Sequence, residues 1–279
     1  MPGVCVLIAC STGLAGCATV TIPPDRNLVP RPLPTTFRDT DWIAVLRDHV
    51  RDGLVDYDGL ARNREPLDRY YALISAMGPT ATPDQFPTRN HRLAYGINAY
   101  NALVLAAVIE DPSRPTMYDL SMPPLESAVT FLLDRKPTTL LAIEEDLLRE
   151  SGGDVRVIFA LSRAQLGAPA LRPEPYTADA LDRQLGEAAA AALDNPYVLQ
   201  INHDQHCIRV WLDILERREE FLAYWQARRR TQATTLHGVL QDLASPQRRQ
   251  ALNAAVGYAI RPMAPDRRLN RWTPRAGAR

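Results

Sequence analysis

The feature that most constrains the fold is a long apolar segment, HRLAYGINAYNALVLAAVIEDP, at residues 91–112. Almost every residue in its middle is apolar, except that Asn98 and Asn101 interrupt the run three residues apart. On a helix, the stripes that contain these residues are otherwise apolar, which predicts a buried central helix over about 90–110 with Asn90 as its N-cap. An unpaired buried carboxamide costs about 1–3 kcal/mol, so both amides are expected to hydrogen-bond to neighbouring backbone.

Helical spacing of apolar residues, together with caps and proline or glycine breakers, predicts helices along the rest of the chain. The predicted ranges are 41–52, 67–77, 140–150, 177–193 capped by Thr177, 211–229, 235–243 and 246–256 capped by Ser245. Strands are predicted at 129–132 and 155–161, and YVLQI and CIRVW flank a turn as a hairpin. Strands do not alternate regularly with helices, so the pattern predicts an α+β fold, mostly helical with a small antiparallel sheet.

The first residues, MPGVCVLIACSTGLAGCATV, read as a secretory signal. The apolar run from Val4 to Ala15 is too short to span a bilayer, and it ends in Leu-Ala-Gly-Cys17, which resembles the lipobox of bacterial lipoproteins. The resemblance implies cleavage after residue 16 and acylation of Cys17. It also implies the periplasmic face of the outer membrane, because Ala18 is not the aspartate of an inner-membrane retention signal. No Lys or Arg precedes the run, and the alternative is an ordinary buried N-terminal segment.

Composition along the chain predicts its organisation. Residues 17–36 hold five prolines and no periodic apolar pattern, which is typical of an extended, lipid-anchored tether. A single globular domain is predicted over 37–260, and an arginine-rich, disordered tail over 261–279. The tail is expected to be solvated, with contact to anionic lipid headgroups or cell-wall polymer as the alternative.

Charge and cysteine content exclude some classes of function. The formal net charge is zero, so no global field favours nucleic acid as a partner. Three of the four cysteines lie in the first 17 residues, which gives no disulfide framework, and no cofactor motif is present. Cys207 follows His203 and His206 in an H-x-x-H-C pattern, but a metal site needs at least three converging ligands. No metal is therefore expected, although a metal or a thiol nucleophile at this hairpin stays as a minor alternative.

The segment INAYNALVL also resembles the core motif of the family called domain of unknown function 547. The similarity continues in register over roughly residues 45–225. VRDGLVDYDGL resembles the family's entry motif, TLLAIEEDLLR its "IEH..LR" element, FALSRAQLGAPALR the pattern FALVCASRSCPPLR, and YTADALDRQLGEAAAAALDNP and WLDILERREEF its closing elements. Their common order and spacing carry the resemblance, which implies no settled activity.

The chain departs from that family pattern at the positions suited to thiol chemistry. Arg163 and Ala168 stand where the pattern has its two cysteines, Glu145 stands where it has a histidine, and Gly96 stands where a tryptophan is frequent. The retained positions are Asn98, Tyr100, Asn101, Glu144, Arg149, Pro169 and Arg172. The resemblance therefore implies a kept scaffold that has lost any thiol-dependent activity.

These observations favour a non-catalytic binding or scaffold module of the cell envelope, with no catalytic residue assigned. Its partners are expected to be the membrane, through the lipid anchor, and an envelope protein or cell-wall ligand. The alternative is a hydrolase or transferase that acts on an envelope substrate through a polar pocket under the central helix. That pocket would contain Asn98, Tyr100, Asn101, Glu144 and Arg149, with a carboxylate of raised pKa.

Overall fold

One long buried helix organises the computed structural model, which describes residues 20–110, 116, 125–230 and 235–273. In that part of the chain the helices are α1 Thr40–His49, α2 Tyr57–Arg62, α3 Glu65–Ala76, α4 Arg89–Ile109, α5 Leu125–Ala128, α6 Leu140–Glu150, α7 Leu181–Asp194, α8 Leu212–Glu216, α9 Arg218–Arg229, α10 Leu236–Leu243 and α11 Pro246–Ala254. The strands are β1 Val20–Ile22, β2 Val50–Arg51, β3 Leu54–Val55, β4 Val129–Leu133, β5 Lys136–Thr138, β6 Leu199–Asn202, β7 Cys207–Val210 and β8 Ala259–Pro262.

Helix α4 confirms the predicted central helix. Every residue from Leu93 to Ile109 is buried, and α2, α3 and α6 pack against the helix. The helix is long and apolar enough to cross a membrane by length and composition, but nearly all of it is buried in the fold, as in the core helix of a globular domain. Thr88 caps it by accepting a hydrogen bond from the backbone N–H of His91. The predicted cap, Asn90, instead donates to the carbonyl of Ala178.

Two hydrophobic clusters form the core. The first surrounds α4 and includes the apolar faces of α1, α3 and α6. The second lies between α7, the β6–β7–β8 sheet and helices α9 to α11. Leu148 on α6 packs against both clusters, so the two are continuous.

The sheets are small and mixed, which fits the predicted α+β class. The predicted hairpin is present as the antiparallel pair β6–β7, and β4–β5 is also antiparallel. Parallel pairing, which the sequence did not predict, joins β1 to β4 and β7 to β8. Both parallel pairs join strands far apart in sequence, a pairing that local patterns do not encode.

Further predictions of local structure were wrong. Residues 155–161 were predicted as a strand, but Val155–Ala160 forms a buried 3-10 helix that Asp154 caps by accepting from the backbone N–H of Arg156. Periodicity alone does not tell whether a short apolar run forms a strand or a helix. Here the cap at Asp154 favours the helix. Helix α7 begins at Leu181 rather than Thr177, because the backbone N–H of Thr177 donates to the side chain of Gln184.

The described structure also extends the fold beyond the predicted domain limits at both ends. Val20–Ile22, predicted to lie in the tether, pairs with β4, and the hydroxyl of Tyr71 donates to the carbonyl of Ile22. The predicted disordered tail instead forms β8 and continues to residue 273, with Asn270 buried. Cys17, the signal segment 1–16 and the last residues, 274–279, lie outside the described residues.

Candidate functional site

The two amides of α4 each form a matched pair of hydrogen bonds with backbone. The Nδ2 of Asn98 donates to the carbonyl of Tyr176 at 2.9 Å, and its Oδ1 accepts from the N–H of Tyr176 at 2.9 Å. Asn101 donates to the carbonyl of Ala160 at 3.0 Å and accepts from the N–H of Ser162 at 2.8 Å. The prediction that both amides tie the helix to neighbouring backbone is confirmed.

These four bonds hold the two ends of one loop against α4. The partners of Asn101 stand just before residue 163, and the partner of Asn98 stands just after residue 175. The segment between them, residues 163–175, is called the site loop below. It carries Arg163 and Ala168, the positions where the family pattern has cysteines. The amides therefore fix where this loop lies, and each uses one donor and its oxygen acceptor in doing so.

Glu144 is the most deeply buried carboxylate of the candidate site, with its side chain 3% exposed. Arg163 binds its Oε2 at 3.0 Å, and Arg217 binds its Oε1 at 2.5 Å. Arg163 also binds Asp213 at 2.8 Å. Two arginines thus face Glu144 and Asp213 in a cluster, called the charged network below, in which both oxygens of Glu144 are paired and Arg217 also binds Glu220 at 3.2 Å.

Aromatic side chains lie beside the charged network. The guanidinium of Arg163 lies over the ring of Trp211, 5.4 Å from its centroid. Burial raises the pKa of Tyr100, and the nearby charge of Arg163 opposes that rise. Burial also raises the pKa of Asp213, an effect that Arg163 reduces and Glu144 reinforces. The network therefore lies in low-dielectric surroundings, where each charge depends on its partners.

The polar pocket predicted under the central helix is not formed by the five residues assigned to it. Arg149 projects from the exposed face of α6, 71% exposed, and pairs with Asp146. Asn98 and Asn101 are occupied by backbone, and Tyr100 and Glu144 lie at the charged network. Residues five apart on a helix face different directions, which separates Arg149 from Glu144.

Gly96 explains how α6 comes so close to α4. A Cβ atom at this position would lie 2.7 Å from Cδ2 of Leu147 on α6. A tryptophan, which is frequent here in the family pattern, would have to displace that leucine. The departure at Gly96 thus accompanies the close packing of the helix that carries Glu144.

A cavity of about 640 Å³ opens beside residues 165–174 of the site loop. The site loop, the start of β3, one face of α7 and Tyr197 line it. Its small apolar wall residues are Ala168, Ala170, Ala188, Ala191 and Ala192. A volume of this size is typical of small-ligand pockets, which are mostly apolar with a few polar groups. Sequence reasoning missed this cavity, although the five alanines in the GEAAAAALD segment are consistent with a wall of small side chains.

Arg172 is the main charged group at the cavity, and its charge is balanced. It pairs with Glu187 at 3.1 Å and with Glu174 at 3.3 Å, and it lies over the ring of Tyr176 at 5.7 Å. The pairs hold the guanidinium in place at the wall, so the cavity combines an apolar interior with a few charged groups in its lining.

The C-terminal segment closes one side of the cavity. The N–H of Leu166 donates to the carbonyl of Arg268, and the N–H of Gly167 donates to that of Asp266, both at 2.9 Å. Asn270 lines the cavity and accepts from the hydroxyl of Tyr57 at 2.5 Å. Sequence reasoning missed this role because the arginine-rich composition of the segment suggested disorder.

The hairpin considered for a metal offers too few ligands in the described part of the chain. Cys207 is fully buried, and His203 instead contacts the hydroxyl of Tyr258 at 3.1 Å through Nδ1. No group of three or more His, Cys, Asp or Glu residues suited to a metal occurs among the described residues. The structure thus gives no support to the metal alternative at this hairpin.

Comparison with known proteins agrees with the resemblance inferred from the motifs. The family model described as "Protein of unknown function, DUF547" matches residues 83–191, a range that contains α4, the charged-network residues Glu144 and Arg163, and the site loop. The predicted resemblance is confirmed over that range. No curated protein and no solved structure matches the chain.

Proposed function

We propose that this chain is a lipid-anchored cell-envelope protein whose domain is a non-catalytic binding module at the periplasmic face of the outer membrane. Its ligand binds in the cavity beside the site loop. The observation that carries this proposal is the pair of residues that replace the family's cysteines. Arg163 is bound into the charged network, and Ala168 forms part of the cavity wall.

Chemistry supports a binding role over a catalytic one at this site. A nucleophile or general base needs a reactive group within hydrogen-bond reach of the substrate. Both oxygens of Glu144 are paired with arginines, and Arg172 at the cavity is paired with two glutamates. The hydrolase or transferase alternative required Asn98, Asn101, Glu144 and Arg149 to line one pocket, and their separation weighs against it.

The anchor is supported by the Leu14-Ala15-Gly16-Cys17 motif and by the position of the first described strand. Strand β1 begins at Val20, three residues after Cys17. A domain with acyl chains at residue 17 would therefore be held close to the membrane surface. More than one acyl chain gives stable anchoring, whereas a single chain gives only marginal binding.

The anchoring half of the proposal is tested by the intact mass of the protein from fractionated membranes. The expected mass corresponds to cleavage before Cys17 plus acyl chains, and Cys17→Ser is expected to abolish both processing and membrane association. An unprocessed full-length chain in the soluble fraction would contradict the anchor.

The binding half is tested with a neutral amphiphile and a variant that fills the cavity. The probe is octyl glucoside below its micellar concentration, and its binding to the intact chain is measured by calorimetry. Ala191 lines the cavity yet is exposed, so Ala191→Leu reduces the free volume without repacking the core. We expect it to weaken binding about ten-fold, since apolar burial supplies the affinity.

The matched control is Ala227→Leu, an exposed position on α9 outside the cavity lining. It adds the same apolar atoms to a helix surface and is expected to bind octyl glucoside like the parent. Equal binding by the parent and Ala191→Leu, or no binding by the parent, would remove the cavity from the proposed function.

A further inference from the structure

Two arginines stand side by side on the outer face of the β6–β7–β8 sheet. The register pairs Gln200 with Arg209 and Arg209 with Arg261 across the three strands. Paired residues on neighbouring strands lie about 5 Å apart and point to the same face. The sheet thus presents an amide and two guanidinium groups in one row.

The charges of this row are not neutralised by carboxylates in the described part of the chain. Arg209 donates to an uncharged acceptor, the Oε1 of Gln205, at 2.8 Å. Neither Arg209 nor Arg261 forms an ion pair with another described residue. Like charges directly opposite each other on neighbouring strands are destabilising. An anion that bridges the two guanidinium groups would remove this repulsion.

The row forms the floor of an open cleft of about 900 Å³. Residues 262–268 form its wall and add Arg267 and Arg268. Asp266 is the acidic residue of the lining, and it is already paired with Arg268 at 2.5 Å. The cleft therefore keeps an excess of positive charge carried by guanidinium groups, whose planar donors match the oxygens of phosphate in two-point contacts.

Tyr197 joins this cleft to the apolar cavity beside the site loop. It lines both spaces and is 40% exposed. Away from Tyr197, the backbone hydrogen bonds between residues 166–167 and residues 266–268 lie between the cavity and the cleft. A ligand that passes Tyr197 can place an apolar part in the cavity and an anionic part in the cleft.

We infer that the ligand of this module is a phosphate-bearing amphiphile, with its phosphate on Arg209 and Arg261 and its apolar part in the alanine-lined cavity. The inference rests on the proposed function, because it specifies the ligand class of the same binding module. It assigns a role to a cleft that no motif in the sequence indicated.

The test compares three probes on the intact chain by calorimetry at low salt. Dihexanoyl phosphatidylglycerol, as a dissolved monomer, carries both parts of the ligand, whereas inorganic phosphate and octyl glucoside carry one part each. We expect the phospholipid to bind at least about ten-fold more tightly than either partial probe, because the two contacts act on one molecule. The double variant Arg209→Gln/Arg261→Gln should bind the phospholipid no better than octyl glucoside.

The control is Arg62→Gln/Arg218→Gln, which removes the same charge from two exposed arginines on helices outside this sheet. It should bind the phospholipid like the parent, and equal melting temperatures show that both variants are folded. Unchanged binding by the cleft variant would overturn the inference. So would inorganic phosphate binding as tightly as the phospholipid, since the apolar part would then contribute nothing.

Failure of this inference is distinguishable from failure of the proposed function. If octyl glucoside and the phospholipid bind equally and both respond to Ala191→Leu, the binding module stands and the phosphate assignment falls. If none of the probes binds, both fall.

Discussion

The two polar regions beside α4 are stabilised by different physics. At Asn98 and Asn101, neutral amides pair with backbone in four hydrogen bonds of ordinary length. At Glu144 and Arg163, full charges pair with one another in nearly dry surroundings. The hydrogen bonds of the two side-chain amides satisfy buried polar groups that would otherwise lack a partner. In the charged network, the attraction between the charges must first offset the free-energy cost of removing those charges from water.

The difference separates positions that match the family pattern from a position that departs from it. The amides stand at positions that match the family pattern, and they fix the ends of the site loop. Arg163 stands at a position that departs from the pattern, and together with Arg217 it pairs with the buried carboxylate of Glu144. A frame that matches the family pattern thus holds a loop in which Arg163, a departure from that pattern, forms an ion pair.

The largest effect is expected from breaking the charged network at Arg163. Arg163→Met removes a partner from both Glu144 and Asp213 and leaves buried carboxylate charge, which should cost about 3 kcal/mol of unfolding free energy. Urea denaturation at pH 7.5 measures this loss. A loss below about 1 kcal/mol, which is typical of a solvent-exposed ion pair, would show that the network is solvated. The contrast drawn between the charged network and the amides would then be wrong.

A double-mutant cycle sharpens this result. Glu144→Met combined with Arg163→Met removes opposite charges together, so the double variant should lose less stability than the sum of the single losses. Strict additivity would show that the two side chains do not interact.

A smaller effect is expected from removing an amide. Asn98→Ala leaves the buried N–H and carbonyl of Tyr176 without this partner, and Asn101→Ala does the same to Ser162 and Ala160, which should cost about 2 kcal/mol each. Because the amides are neutral, the loss should be equal at pH 5 and pH 8.

The matched control for the amides is Asn90→Ala on the same helix. Asn90 is exposed and makes one hydrogen bond, to the carbonyl of Ala178 at 3.2 Å, so its loss should cost below about 0.5 kcal/mol. If all three alanine variants unfold alike, the buried amides do not have the role assigned to them.

Sequence reasoning predicted the amide region because its signal is local. An apolar helical period with two carboxamides implies burial, and burial implies hydrogen-bonded partners. The identity of those partners, Tyr176 and Ala160, depends on how distant segments pack, and no pattern within α4 encodes it.

The charged network and the cleft could not be predicted for the same physical reason. Glu144, Arg163 and Asp213 come from separate elements, and each alone is typical of a solvated surface. The Arg209–Arg261 row depends on the parallel register of β7 with β8, which lies in a segment whose composition suggested disorder. Residues 155–161 show the limit for local structure, because an apolar run fits a strand and a buried 3-10 helix equally well.

Asp39 provides a third case, a half-buried carboxyl that pairs with no arginine among the described residues. Burial raises its pKa to about 6, although a hydrogen bond from the hydroxyl of Tyr70 at 2.7 Å opposes the rise. The folded state therefore keeps the proton of Asp39 to a higher pH than the unfolded state does. As a result, the contribution of this carboxyl to the stability of the fold decreases as the pH rises from about 4 through 6. Asp39→Asn keeps an acceptor for Tyr70 and should stabilise the fold by about 1–2 kcal/mol at pH 7.5.

The pH dependence checks the sign of the Asp39 prediction. Unfolding free energies of the parent and Asp39→Asn should converge near pH 4, where the parent carboxyl is protonated in the folded state. A variant that is less stable than the parent at pH 7.5 would show that the ionised carboxylate has a favourable partner, like Glu144.

The smallest effect is expected at Asp213, where the two kinds of region meet. Burial raises the pKa of this carboxyl even though Arg163 lies 2.8 Å away, so desolvation outweighs the ion pair. Its contribution to stability therefore falls as the pH rises from the ordinary carboxyl range through the raised value. Asp213→Asn keeps an oxygen for Arg163 and removes the charge, and it should change the unfolding free energy at pH 7.5 by less than about 1 kcal/mol, towards greater stability. Urea denaturation at pH 5 and pH 7.5 tests this, and a loss above about 2 kcal/mol at the higher pH would mean that Asp213 is a stabilising member of the network.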